Sequence, residues 1–83
     1  MKITIYSTKT CPFCKMEKAY LDSKGVQYQN IFVDEDQKAA EEMVKISGQI
    51  GVPFTVIEKD DGSKVTILGF EKERLEKELE IKS

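Results

Sequence analysis

The sequence predicts a layered α/β domain in the order β-α-β-α-β-β-α, built on one mixed four-stranded sheet flanked by helices. Three observations carry this. Short runs rich in β-branched and aromatic residues at 2–7, 26–33, 54–58 and 64–68 alternate with amphipathic stretches. A helix-length stretch separates the first two runs, which demands a right-handed crossover and a parallel pair. The last two flank Lys59-Asp60-Asp61-Gly62-Ser63, whose Asp-Gly is a hairpin signal, so that pair is antiparallel. With 83 residues the chain is predicted to form one domain, 1–83, whose core is small because a chain of this size buries only about 60% of its unfolded surface.

Each element has its local reason. In residues 2–7, Ile3, Ile5 and Ser7 fall on one face and Thr4 and Tyr6 on the other. Residues 8–10 are polar and read as a loop. Pro12 suits a first helical turn, where its missing N–H has no partner to lose. Phe13, Met16 and Tyr20, at i, i+3 and i+7, predict the apolar stripe of a helix over 12–24, stopped at Gly25. Val26, Tyr28 and Phe32 share a phase in a strand over 26–33. Asp34-Glu35-Asp36 offers an N-cap and acids at the positive end of a helix over 37–47. The apolar side of that helix is Ala39, Ala40, Met43, Val44 and Ile46, and Gly48 ends it. Pro53 opens the strand 54–58, the strand 64–68 returns, and Gly69 breaks the chain again. A last helix over 71–81 turns Leu75 and Leu79 inward, with Glu73/Lys77 and Glu78/Lys82 as favourable i, i+4 pairs. Tyr6, Tyr20 and Tyr28 are expected at the edges of the core.

Composition narrows the function. There is no His, which removes His-based acid/base catalysis, Ser-His-Asp and Cys-His triads and every His-containing zinc site. Thirteen Lys and Arg stand against fifteen Asp and Glu, interspersed along the chain, which argues against a nucleic-acid surface. No apolar run approaches the ~18 residues of a membrane span, and the start lacks the features of a signal peptide. A cytoplasmic location is expected, where structural disulfides are rare.

That makes Cys11-Pro12-Phe13-Cys14 the most informative segment. It lies between a strand and a helix, with Cys11 at the helix start. Unsatisfied N–H groups and the positive end of the helix dipole favour a thiolate there. Lys9 and Lys15 add positive charge, and no acid lies between Ser7 and Met16. The thiolate is the attacking species in thiol–disulfide exchange, so Cys11 is the predicted nucleophile. Cys14, one turn on, is predicted on the buried side of that turn, within reach to resolve a mixed disulfide. Pro12 stiffens the turn. A purely structural bridge is a poor alternative, because so short a loop removes little unfolded-state entropy. Zinc needs four ligands, and two Cys without His supply only half. A carrier of an iron–sulfur cluster or soft metal ion, held by Cys11 thiolates across a dimer, is the rival reading.

Taken with Tyr6 to Cys14, Glu41-Glu42-Met43, Ser47-Gly48-Gln49, Val52-Pro53 and Gly69-Phe70, the chain resembles the glutaredoxin family, within the thioredoxin-like fold. Cys-Pro-Phe-Cys is close to the family's Cys-Pro-Tyr-Cys. The resemblance implies a monomeric dithiol oxidoreductase acting on disulfide-containing proteins or glutathione mixed disulfides, with no tightly bound cofactor. It implies that Val52-Pro53 is a cis-proline loop, whose Val52 backbone pairs with substrate. It also nominates Lys9, Gln49, Gly69, Phe70 and Glu71 for the substrate or glutathione site. Departures bear on the electron donor. Thr8 stands where the family usually has a basic residue, with Lys9 one place later. Gly51 and Ile50 replace the Thr and the basic residue that precede Val-Pro, and Leu68-Gly69-Phe70-Glu71 replaces Gly-Gly-x-Asp. Gly69-Phe70 is more similar to glutaredoxin-like redoxins reduced by thioredoxin reductase, so glutathione and a flavoprotein reductase both stand as donors. Phe13 is expected on an apolar rim beside the dithiol, and Phe70 on that rim or in the core.

Overall fold

The structure, a computed structural model, describes residues 1–48 and 51–79. The elements are β1 (Lys2–Ser7), α1 (Pro12–Ser23), β2 (Gln29–Phe32), α2 (Gln37–Ser47), β3 (Phe54–Glu58), β4 (Lys64–Leu68) and α3 (Lys72–Leu79). The four strands form one sheet in the order β2-β1-β3-β4. β1 runs parallel to β2 and antiparallel to β3, and β3 and β4 form the hairpin. This is the mixed sheet that the sequence predicts, and it has the thioredoxin-like order of elements.

The pleat of β1 and β3 divides the core in two. Ile3, Ile5 and Ile57 join Ile67, Leu21 of α1 and Leu75 of α3 on one face. Tyr6, Phe54 and Val56 join Ala39 and Met43 of α2 on the other. The alternation expected in residues 2–7 is therefore real, and each phase has its own helix layer.

Helix ends follow the expected chemistry. Asp36 caps α2 by accepting from the Ala39 N–H at 3.1 Å. Gly48 closes it in the left-handed conformation at φ 77°, and its N–H donates to the Val44 carbonyl at 2.7 Å.

Several expectations are corrected. Of the stripe expected on α1, Phe13, Met16 and Tyr20, only Tyr20 packs on the core. Phe13 and Met16 are 57% and 51% exposed, and the buried residues are Cys14, Glu17 and Leu21. Both sets have helical spacing, and hydrophobicity alone picked the wrong one because the buried phase contains a carboxylic acid. Ile46 of α2 is likewise exposed, while Ala40 and Val44 are half-buried. The second strand is shorter than 26–33: Val26 and Tyr28 pack on the core ahead of β2 without joining the ladder. α1 ends at Ser23 with Lys24 as its cap. α3 begins at Lys72, one residue after the expected start, and Glu71 supplies the carbonyl that receives the Leu75 N–H. Glu78 pairs with Lys59 of the hairpin at 3.0 Å. The expected partner Lys82 and the end of the 71–81 helix lie outside the described residues.

Candidate active site

The site is built where β1 gives way to α1. Ser7 is buried and its carbonyl accepts from Val33 at 2.8 Å, which fixes the end of the strand. The Thr8 carbonyl then receives the Cys11 N–H at 3.4 Å, turning the chain into the helix. Cys11 is the N-cap, with extended backbone at φ −81° and ψ 112°, and Pro12 occupies the first turn.

In an N-cap the side chain normally supplies an acceptor for an orphan N–H of the first turn. Here the acceptor is sulfur: the Cys14 N–H points at Cys11 Sγ at 3.2 Å. Both cysteines are free thiols, Cys11 half-exposed and Cys14 fully buried. One turn of helix therefore presents one thiol to the outside and holds the other beneath it. Burial pushes the Cys14 thiol up to about 12, helped by its hydrogen bond to Cys11 and by the charges of Cys11 and Glu17. A hydrogen bond from the Thr8 backbone works in the opposite direction.

At the same sheet end, where Tyr6 of β1 pairs with Phe54 of β3, the Val52–Pro53 peptide is cis. Pro53 is buried, and its carbonyl accepts from the Gly69 N–H at 2.7 Å. Gly69 has φ 85°, a conformation that a side chain would strain. This bond ties the β4–α3 loop to the proline loop, so Val52, Pro53 and Gly69 are brought together. The other nominated residues are engaged elsewhere. The Lys9 ammonium forms an ion pair with Glu35, and its backbone N–H donates to Asp34 at 3.2 Å. The positive charge expected beside Cys11 is thus matched by an acid that sequence proximity did not reveal. Phe70 is half-buried, packed on the core and against the Tyr20 ring at 6.0 Å. Glu71 is exposed and bonds Arg74 at 3.4 Å. Gln49 lies outside the described residues. Phe13 stands exposed next to Cys11, as expected of a rim residue.

Two residues under the dithiol escaped the sequence reading. Glu17 is fully buried in α1, and its Oε2 accepts from the Thr55 hydroxyl of β3 at 2.7 Å. Its Oε1 has no hydrogen-bond partner among the described residues. The available signal was the i, i+3, i+7 phase of Cys14, Glu17 and Leu21, which puts an acid on the same face as a cysteine already expected to be buried.

Among the described residues no group of three or more His, Cys, Asp or Glu is placed to share a metal ion, and no helix is long and apolar enough to cross a membrane.

Comparison with known proteins gives a consistent result. The glutaredoxin family model matches residues 3–61. A glutaredoxin-like 8.6 kDa protein of the rubredoxin operon in Clostridium pasteurianum is 45% identical over 78 residues, covering 94% of this chain and 97% of that protein. Glutaredoxin 3 of Escherichia coli K12 is 43% identical over 56 residues, 68% of each chain. Among solved structures, the E. coli glutaredoxin-like protein NrdH-redoxin superposes with a TM-score of 0.77 at 27% identity, covering 93% of both chains; it is described as having a thioredoxin-like activity profile. The chain, with its Cys11–Cys14 pair on a thioredoxin-like fold, belongs to the glutaredoxin family.

Proposed function

We propose that the protein is a dithiol–disulfide oxidoreductase acting on protein disulfides or glutathione mixed disulfides. The observation that carries this reading is the unequal burial of two free thiols on one helical turn, with Cys11 reachable and Cys14 enclosed. Cys11 attacks a substrate disulfide as the thiolate, forming a Cys11 mixed disulfide and releasing one substrate thiolate. Cys14 then attacks Cys11 Sγ, forming the Cys11–Cys14 bond and releasing the second thiol. A reductant outside the protein returns the pair to the dithiol, and no tightly bound cofactor takes part.

Substrate docks across Phe13 and the backbone of Val52, between the helix start and the proline loop. The electron donor is a flavoprotein of the thioredoxin-reductase type, with glutathione as the alternative. Glutathione carries two carboxylates that call for cations. Here Lys9 is matched by Glu35, Thr8 holds no charge, and the Glu71 carboxylate is occupied by Arg74. The likeness to NrdH-redoxin points the same way. The protein acts as a cytoplasmic monomer in this reading.

Reduction of a small mixed disulfide by wild type, Cys11→Ser and Cys14→Ser, driven by glutathione or by thioredoxin reductase, tests both levels. Turnover that Cys11→Ser abolishes, with Cys14→Ser trapping a mixed disulfide, is the expected result. Drive by the reductase alone supports the flavoprotein donor, and drive by glutathone assigns the alternative. No turnover with either reductant, or with a simple dithiol, refutes the oxidoreductase reading.

A further inference from the structure

Glu17 does nothing in the scheme above, yet it is the costliest side chain in the core to have kept. It is fully buried on α1, one turn beyond Cys14 and on the same inward face. At i, i+3 the two Cβ atoms are on the order of 5–6 Å apart, and the Glu17 charge acts on the Cys14 thiol. One carboxyl oxygen is held by Thr55, which fixes the group against β3 two residues past Pro53. The other, Oε1, has no partner in a place where an unpaired oxygen is unfavourable. Ion pairs elsewhere in the described residues leave Glu17 without a cation.

We propose that Glu17 is the general base of the resolving step: its carboxylate takes the Cys14 thiol proton as Cys14 attacks the mixed disulfide on Cys11. The inference rests on the dithiol reading above. In balance, the Cys14 S–H bond breaks and its proton passes to Glu17. The Cys14 sulfur forms a bond to Cys11 Sγ, and the Cys11–substrate S–S bond breaks with its electron pair on the substrate sulfur. That thiolate takes a proton from water, and Glu17 returns its own to water once the disulfide has formed. Cys14 and Cys11 are oxidised and the substrate disulfide is reduced.

The surroundings suit the task. Burial holds the Glu17 carboxyl above the ordinary carboxylate value, moving it toward neutral pH where a base is most useful. The groups that act on the pair are few. Cys14 receives the Thr8 backbone N–H. Thr55 faces Glu17 from β3, and the Tyr28 phenol, itself bonded to Asp22, lies close enough for Glu17 to push it up. From α3 the fully buried residue is Leu75, which carries no charge.

Mixing reduced protein with a chromogenic aromatic disulfide separates the steps: the first equivalent of coloured thiol reports Cys11 attack and the second reports resolution by Cys14. In Glu17→Gln the amide oxygen still accepts from Thr55, but the group cannot take a proton. The expected result is an unchanged first phase and a second phase slowed at least about tenfold near neutral pH, with loss of the carboxyl inflection in its pH profile. Glu17→Asp restores part of the rate and the inflection. A Glu17→Gln second phase with wild-type rate and pH profile overturns the inference while leaving the dithiol reading intact. A wild-type protein with no second phase overturns the dithiol reading itself. Should Glu17→Gln fold poorly, carbon-detected titration of Glu17 in wild type decides: its titration must move between the dithiol and disulfide forms, and an identical curve in both refutes the coupling.

Discussion

Replacing Glu17 and Thr55 together, as Glu17→Met with Thr55→Val, is expected to stabilise the reduced protein. Both side chains are fully buried and bonded to each other, so each protects the other from being unpaired. Removing one partner strands the other, whereas removing both with apolar groups of similar shape leaves nothing unsatisfied. The wild type already bears one orphan oxygen, Oε1, which costs about 1–3 kcal/mol. The double variant recovers that amount, a rise in Tm of at least about 4 °C for a domain of this size. Thr55→Val alone strands Oε2 as well and loses a further 1–3 kcal/mol or about that. The effect also depends on pH. Burial holds the folded carboxyl above 4.5, so between that value and the raised one the folded chain keeps a proton that the unfolded chain has released. Stability therefore falls as pH rises through this window and levels off above the folded value. Urea unfolding of wild type and both variants across this range, under reducing conditions, isolates Glu17 as the difference between curves. The double variant should lead by a margin that widens with pH. A double variant less stable than wild type, or a margin that does not change with pH, refutes the account of Glu17 as a buried, unpaired acid.

Other outcomes follow from the same geometry. With its thiol pushed up to about 12 and fully buried, Cys14 should resist alkylation in the native protein near neutral pH, while Cys11 is modified; mass mapping that finds Cys14 labelled first contradicts the assignment of roles. Asp36→Ala removes the N-cap bond to Ala39 and should cost about 1 kcal/mol in urea unfolding, with little change in thiol chemistry because α2 lies across the sheet from α1. Phe13→Ala should leave stability within about 0.5 kcal/mol, since the ring is 57% exposed, and raise KM for a protein disulfide while sparing a small aromatic one; equal effects on both substrates would remove Phe13 from the docking surface.

Much of this was legible in the residues. The element order, the parallel β1–β2 pair and the antiparallel β3–β4 pair followed from run lengths, from the crossover and from Asp61-Gly62, whereas the antiparallel β1–β3 pairing at the centre of the sheet did not. The cysteine turn followed from Pro12 and the helix start, because capping chemistry is local. Where the reading failed, the deciding contact was non-local. Phe13 and Met16 form as good an apolar phase as Cys14 and Leu21, and only β3 packing against α1 tells which one is covered. The Lys9 charge expected to act on Cys11 is matched by Glu35, which lies in a different loop of the chain. Phe70 was drawn onto Tyr20 of α1, a neighbour that no local pattern supplies.

Glu17 and Cys14 also constrain each other in a way neither shows alone. Two groups that ionise to the same sign in one buried site resist being charged together, so the ionised carboxylate holds the proton on the thiol. While Glu17 carries its proton, the Cys14 thiolate is less opposed, and the Thr8 N–H is there to receive it. Once Glu17 is ionised, Cys14 stays a thiol until something takes its proton, and the nearest buried acceptor is Glu17 itself. Near neutral pH the reduced protein thus keeps that proton on Cys14, beside the acid that can take it when Cys14 attacks. Disulfide formation replaces the polar thiol with an apolar bridge, so the carboxyl must titrate differently in the oxidised protein than in the reduced one. The buried acid that weakens the fold is then the same group that reports, through its proton, whether Cys11 and Cys14 are joined.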